Sequence, residues 1–398
     1  MYEGHSIGVV VPAYNEAGLV GDVIDEMPDY TDRLYVIDDA STDRTWAAIR
    51  EAAAHRAEGA GTDEPAEPVT TDGHGGTVVA EQPPEAVASA GGGGSEVVTA
   101  PSVSTDDPGS MGPTSNGSAS HGTVDAEPEY LDGQHAEQLA GRLSAAETIG
   151  EVICLRHAEN RGAGGAIKTG YLAAIDDGVD IVATVDADGQ MNCETLSELL
   201  DPLVADEADY AKGNRFHDTE VLRNMPPFRL TGNLLLTGLT RIASGYWGLR
   251  DPQNGFTATT RETLVEADIG TLWTYYGYMN QLMGRFNTNG VRIVDVPMAT
   301  IYDEEESSIE YGLYIRKVSL LLLRTFVLRL VTKRGIAARS TAACYLVGAF
   351  TVAASLLADI RGDDGVDLGG GLVGLVAFLV GIAVDAITPP GVVRWENR

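Results

Sequence analysis

Asp186 and Asp188 close an apolar run, Ile181-Val182-Ala183-Thr184-Val185, that reads as a buried strand. Alternate side chains of an extended segment point the same way, so the two carboxylates face one point. Like charges so placed repel unless a cation sits between them. Oxygen ligands of this kind suit Mg2+ or Mn2+, with phosphate oxygens completing the shell. Gln190 is near enough to supply another oxygen. A solvated acidic turn fits the same residues, so their surroundings must decide.

Other apolar segments also end in polar clusters. Ile7 to Val11 runs into Pro12-Ala13-Tyr14-Asn15-Glu16, and Leu34 to Ile37 into Asp38-Asp39-Ala40-Ser41-Thr42-Asp43. Glu151 to Leu155 leads to Asn160-Arg161-Gly162, and a further short apolar segment to Lys212-Gly213-Asn214-Arg215. Helical patterns separate the strands, which predicts a mostly parallel α/β sheet. Ligands of such sheets bind at the carboxyl ends of strands, where these clusters fall. Asp38 or Asp39 can accept a base N–H, and Tyr14 can pack on the base. Arg215 and Arg229 have no acid beside them in sequence and suit a phosphate. Asp251, in Arg250-Asp251-Pro252-Gln253-Asn254-Gly255, is a candidate base or orienting group, or a plain turn residue. Gly162 to Thr169 nearly matches a P-loop, but Ile167 stands where that motif needs glycine.

The formal net charge is −31 over 398 residues, with only four lysines. No basic patch is available to neutralise phosphates, which excludes nucleic-acid binding. Molar salt shortens the Debye length to about 3 Å, so this balance implies a halophilic source. Residues 57–149 hold sixteen Asp or Glu and one Arg, and Gly, Ser, Thr, Pro and Ala dominate. Such a stretch buries too little apolar area to offset its ordering entropy, and reads as a disordered insertion with a short helix near Glu137 to Ala146. Three cysteines without a C-x-x-C pattern argue against a zinc site or a disulfide framework. Met1-Tyr2-Glu3 leads straight into a strand rather than a signal sequence.

Residues 340–388 contain two apolar stretches, Ala342 to Leu357 and Leu368 to Val384. With their flanks each approaches the roughly 20 residues that span a bilayer. Basic residues flank both ends and Asp363-Asp364 lies between, which predicts a hairpin with both termini and the catalytic domain cytoplasmic. Such helices can also carry a homo-oligomer. Residues 313–334 read as an interfacial amphipathic helix, with Arg324 and Arg329 snorkelling to head groups.

Taken in order, the five strand-end motifs resemble family 2 glycosyltransferases of the GT-A fold, and most of all the dolichyl-phosphate (polyprenyl-phosphate) sugar synthases. The resemblance covers about residues 6–60 and 150–310. It implies a GT-A (Rossmann-like) domain formed by 1–56 and 150–312, followed by C-terminal membrane helices. It also implies that Pro12, Tyr14, Asn15, Glu16, Asp38, Asp39 and Asp186 bind the donor, and that Asp186, Asp188 and Gln190 hold Mg2+ or Mn2+. Arg215 and Arg229 would hold the acceptor phosphate, and Asp188, Arg215 and Asp251 would serve catalysis. The family inverts the anomeric carbon. Asp186-Ala187-Asp188-Gly189-Gln190-Met191 with Asp251-Pro252-Gln253-Asn254-Gly255 looks more like archaeal hexosyl members, with UDP-glucose as expected donor and a haloarchaeal source. Mannosyl members carry a basic segment near the membrane, whereas Tyr302 to Ser308 here is acidic, which lowers GDP-mannose.

The expected activity is hexose transfer from a nucleotide-diphosphate sugar to dolichyl or polyprenyl phosphate at the cell membrane, supplying protein glycosylation. A lipid monophosphate is largely dianionic at neutral pH and needs no strong base. A sugar hydroxyl needs one. Transfer to a hydroxyl of a lipid-linked oligosaccharide or polysaccharide is therefore a separate alternative. An inactive membrane-tethered sugar-nucleotide binder is another.

Overall fold

The computed structural model describes residues 1–60, 133–217, 227–275, 277–298, 311–333, 336–361, 368–388 and 390–393. Among these, nine strands form one sheet: β1 (Ile7–Ala13), β2 (Arg33–Asp38), β3 (Leu143–Ile149), β4 (Val152–His157), β5 (Ile181–Thr184), β6 (Tyr210–Asn214), β7 (Thr257–Thr260), β8 (Ile293–Pro297) and β9 (Val392–Val393). Their spatial order is β3-β4-β2-β1-β5-β7-β6-β8-β9. β1 pairs in parallel with β2 and β5, β2 with β4, and β8 with β6 and β9. Only β3 and β7 run against their neighbours. β7 is antiparallel to both β5 and β6, so β6 points the same way as β5. The carboxyl ends of β1, β2, β4, β5 and β6 thus share one edge.

Both faces of the sheet are covered, which is why β1 and β2 read as nearly continuous apolar runs. On one face Val9 and Val11 pack with Val20 and Val23 of α1 (Val20–Asp25), Ile49 of α2 (Thr45–Ala60) and Leu199 of α5 (Leu196–Val204). On the other, Val10 and Ile37 pack with Ile167 and Tyr171 of α4 (Ala163–Asp177). Leu264 of α7 (Arg261–Glu266) and Phe286 of α8 (Tyr278–Asn289) extend that second layer.

The expected insertion, 57–149, is too long at both ends. α2 continues to Ala60, α3 spans Ala136–Ala140, and β3 forms an edge strand from Leu143 to Ile149. The helix foreseen to Ala146 therefore stops at Ala140. β3 has little apolar content to announce it. It is held by antiparallel pairing to β4 and by Arg50, whose Nε lies 2.7 Å from Glu147 Oε2. Residues 61–132 lie outside the described residues, as does the acidic connection at Asp363-Asp364.

Three long helices follow the sheet: α9 (Tyr311–Thr332), α10 (Ile336–Arg361) and α11 (Leu368–Ala386). Residues Ala338–Leu357 of α10 are long and apolar enough to cross a membrane, while Gly370–Ala386 of α11 is shorter. α10 and α11 pack closely through glycine: a Cβ on Gly348 would meet Gly374 O at 2.8 Å. Their outer faces expose Leu346, Phe350, Leu372, Val376 and Leu379. α9 packs on α8 and on α6 (Pro227–Ser244) and exposes Leu320, Leu323 and Val331.

Arg329 departs from expectation. It is 2% exposed and does not snorkel. Its Nη1 and Nη2 each lie 2.8 Å from the Asp385 carboxylate of α11, and its Nε and Nη2 donate to Ala243 O and Ile242 O at 3.0 Å. Those carbonyls end α6, where a cation complements the helix dipole. Beyond α11, β9 rejoins the sheet beside β8.

Candidate active site at the carboxyl edge of the sheet

The loops after β1 and β2 are tied together by side chains. Ser41 Oγ accepts the Asn15 N–H at 2.9 Å, Asn15 Oδ1 accepts that of Thr42 at 2.9 Å, and Thr45 Oγ1 accepts that of Glu16 at 2.8 Å. Asn15 and Ala40 adopt left-handed backbone, with φ of 59° and 58°. Asn tolerates that conformation; for Ala it carries strain, which the interlocked loops sustain. Tyr14 is left 46% exposed, standing off the core rather than packing in it. Pro12 closes the strand beneath it, in register with Ile37.

The two adjacent aspartates of β2 part company. Asp38 is fully buried: its Oδ1 accepts the Ser41 N–H at 2.9 Å and its Oδ2 lies 3.0 Å from Arg156 Nε. It builds the loop. The Asp39 N–H donates to Ala13 O at 2.9 Å. Asp39 Oδ1 lies 2.6 Å from His157 Nδ1 and accepts the Arg161 N–H at 2.8 Å. His157, at the end of β4, was not singled out from sequence. Its only signal there is a polar ring closing an apolar strand just ahead of Asn160-Arg161-Gly162.

Asp186 and Asp188 follow β5 and are both partly exposed. Asp188 Oδ1 accepts the Gln190 N–H at 3.0 Å, and Gly189 takes the positive φ of 69° that this turn needs. Asp186 lies against the loop that carries Asp251: a Cβ built on Gly255 would stand 2.7 Å from Asp186 Oδ2. In sequence Gly255 stands only as the end of the Asp251 motif, and nothing there signals its closeness to Asp186. Among the described residues no three His, Cys, Asp or Glu side chains converge as a metal site. A cation at this edge would have two protein carboxylates, with the Gln190 amide as a further oxygen. That set fits Mg2+ or Mn2+, which commonly take one or two carboxylates together with substrate phosphates.

Arg215 corrects a second expectation, because it has an acid beside it in space. Its Nε donates to Asp251 Oδ2 at 2.8 Å, its Nη2 to Oδ1 at 3.1 Å, and its backbone N–H to Oδ2 at 3.2 Å. Asp251 is 1% exposed. Burial raises its carboxyl pKa, but the hydrogen bonds and charge of Arg215, with Lys212 behind them, outweigh burial and hold it below the usual carboxylate range. Asp251 therefore orients Arg215 and is poorly placed to be a base. The Arg229 side chain lies outside the described residues.

The sequence profile of glycosyl transferase family 2 matches residues 8–65 and 132–266, the span that builds β1 to β7. A UDP-N-acetylglucosamine–dolichyl-phosphate N-acetylglucosaminyltransferase from Methanococcus voltae is 32% identical over 154 residues, 39% of this chain and 61% of the relative. A polyprenol monophosphomannose synthase from Mycolicibacterium smegmatis is 30% identical over 161 residues, 40% of this chain and 60% of the relative. The chain thus spans about three fifths of the length of these relatives. Among solved structures, glucosyl-3-phosphoglycerate synthase from Mycobacterium tuberculosis with Mn2+, uridine diphosphate and product superposes with a TM-score of 0.44 at 16% identity, over 81% of this chain and 80% of that one. The profile covers the strands whose carboxyl ends gather Asp39, Asp186 and Arg215, and this chain belongs to the family 2 glycosyltransferases.

Proposed function

We propose that the protein transfers a hexose, with inversion, from a uridine-diphosphate sugar to a polyprenyl phosphate at a membrane surface. The observation that carries the acceptor class is the Asp251–Arg215 pair. The carboxylate that sequence offered as a base is buried and committed to a guanidinium. A hydroxyl acceptor needs a base to remove its proton, whereas a phosphate arrives as an anion and attacks as it is. Both relatives named above carry a lipid phosphate in their names, which supports the same reading.

In this reading Tyr14 and Asp39 receive the nucleoside, and Asp186, Asp188 and Gln190 face the diphosphate. A divalent metal held there would neutralise the leaving group as its charge develops. Arg215, oriented by Asp251, and Arg229 would meet the acceptor phosphate. Inversion follows from one in-line displacement at the anomeric carbon. α9 packs on α6 and α8, and β9 pairs with β8, so both ends of the α10–α11 pair return to the catalytic domain. That supports a membrane hairpin with both ends on one side, cytoplasmic by the flanking basic residues. Glucose rests on motif resemblance alone, since the relatives' names carry N-acetylglucosamine and mannose.

The test is a donor panel of labelled UDP-glucose, UDP-N-acetylglucosamine and GDP-mannose, with dolichyl phosphate, in high-salt membranes with and without EDTA. Label should enter a chloroform-extractable product, stop with EDTA, and be released by mild acid as expected of a glycosyl phosphodiester. Acid-stable label would identify a hydroxyl acceptor. No transfer under any salt condition would identify a binder only.

A further inference from the structure

We infer that His157 makes the donor site selective for uridine over guanosine, by closing one oxygen of Asp39 to the incoming base. The inference rests on the proposed role of Asp39 in receiving the nucleoside. It begins from the uneven use of that carboxylate. Oδ1 takes both His157 Nδ1, at 2.6 Å, and the Arg161 N–H, at 2.8 Å. Oδ2 accepts no hydrogen bond among the described residues. A carboxylate can only accept, so Nδ1 is the protonated ring nitrogen.

The ring is pinned from behind as well. His157 is 1% exposed, and its Nε2 lies 2.8 Å from Thr169 Oγ1 on α4. That hydroxyl is itself 3.1 Å from Gly165 O and accepts Arg142 Nη1 at 3.1 Å. Arg142 and Thr169 are both buried. The chain Arg142–Thr169–His157–Asp39 therefore fixes which oxygen of Asp39 is closed, rather than leaving the carboxylate to rotate. Arg142, Thr169 and His157 are positioning residues; only Asp39 meets the ligand.

The chemistry of the bases does the rest. A carboxylate oxygen has two lone-pair directions, and Oδ1 has filled both. Guanine presents two neighbouring donors, N1–H and N2–H, which a carboxylate satisfies only by offering both oxygens side by side. Uracil presents one imide N–H between two carbonyls, and a single open oxygen satisfies it. Guanine on this site would leave its exocyclic amine without an acceptor. A site that leaves a buried polar group unpaired rejects that ligand strongly.

The experiment measures UDP and GDP affinities by calorimetry on the full-length protein in detergent and high salt, with Mn2+ and no acceptor. Wild type should prefer UDP by at least about tenfold, within the roughly 5- to 150-fold that one unpaired buried polar group costs. His157→Ala should bring the ratio close to one, because Oδ1 becomes open to a second donor. His157→Asn, whose amide nitrogen takes the place of Nδ1 and can still donate to Oδ1, should restore most of the preference. Thr169→Val unpins the ring from behind and reads the same ratio if His157→Ala does not fold. A wild-type ratio near one or in favour of GDP overturns the inference, as does a ratio unchanged in both His157→Ala and Thr169→Val. Because no acceptor is present, a uridine preference without transfer to polyprenyl phosphate would sink the proposed reaction and leave this inference standing.

Discussion

Gly255→Ala is the sharpest probe of whether Asp186 serves a metal. An ideal Cβ at this position would stand 2.7 Å from Asp186 Oδ2 and 3.3 Å from its Cγ and Oδ1. Ordinary contact begins at 3.4 Å, so the carboxylate must retreat by about 0.7 Å (3.4 − 2.7). Gly255 is not among the residues with positive φ, so alanine meets no backbone strain. The far end of a flexible side chain moves cheaply, and folding stability should change by less than about 1 kcal/mol. Function should not escape so lightly. Metal–ligand distances hold to within about 0.2 Å, and a 1 Å misplacement costs about a hundredfold in rate. The expected loss is about 10- to 100-fold, or about 1.4–2.7 kcal/mol on the barrier. Initial transfer rates measured across a Mn2+ titration should show both the lower rate and a higher Mn2+ requirement, while the melting temperature stays put. A rate within twofold of wild type, with the same Mn2+ dependence, would refute the placement of the cation at Asp186.

Lys168 lies buried in α4, and burial, reinforced by Arg142 and Arg285, lowers its pKa to about 8. Its unfolded value is about 10.4, so between about pH 8 and 10 the unfolded chain binds more protons and stability contributed by this site rises with pH. Lys168→Met should flatten that rise, as read by denaturant midpoints at pH 7.5 and 9.5; equal slopes in the two proteins would reject the assignment. The Arg329–Asp385 pair is almost fully buried, so Asp385→Ala should cost about 3–5 kcal/mol by stranding the guanidinium. The double change Arg329→Met with Asp385→Leu should recover most of that, as thermal melts in detergent would show. Residues 63–127 hold eleven of the acidic residues and no Lys or Arg, so replacing them by a short Gly/Ser linker leaves a charge of −20 (−31 + 11). We expect UDP affinity to stay within twofold and the folded state still to need concentrated salt, read by circular dichroism against KCl; folding in dilute buffer would contradict the halophilic reading.

The strand-end chemistry was legible because it is written in runs. Apolar segments such as Ile7 to Val11 stop abruptly at polar clusters, and a parallel sheet puts all such stops on one edge. What sequence could not weigh is which polar group answers which. Asp38 and Asp39 look equivalent as neighbours, yet a strand turns them apart, one into the Arg156 contact and the other toward His157. Arg215 seemed to lack an acid because its partner, Asp251, comes 36 residues later and across the sheet edge. β3 was missed for a related reason. Leu143-Ser144-Ala145-Ala146-Glu147-Thr148-Ile149 has a weak pattern of its own, and it is a strand because β4 offers it an edge.

Arg329 shows the same limit with the largest consequence. An arginine amid leucines, ahead of two apolar helices, has two physical outcomes: the guanidinium reaches water and head groups, or it finds a carboxylate inside the protein. Periodicity cannot choose between them, because the same exposed-looking register serves both. The choice is made by Asp385, 56 residues away in α11, together with the carbonyls of Ile242 and Ala243. The result is a tether rather than a float. The last turn of α6, the C-terminal part of α9 and the last turn of α11 are fastened at one point. The other end of α6 begins two residues before Arg229, so the pair would hold the proposed phosphate-binding helix at a fixed height relative to the apolar helices α10 and α11.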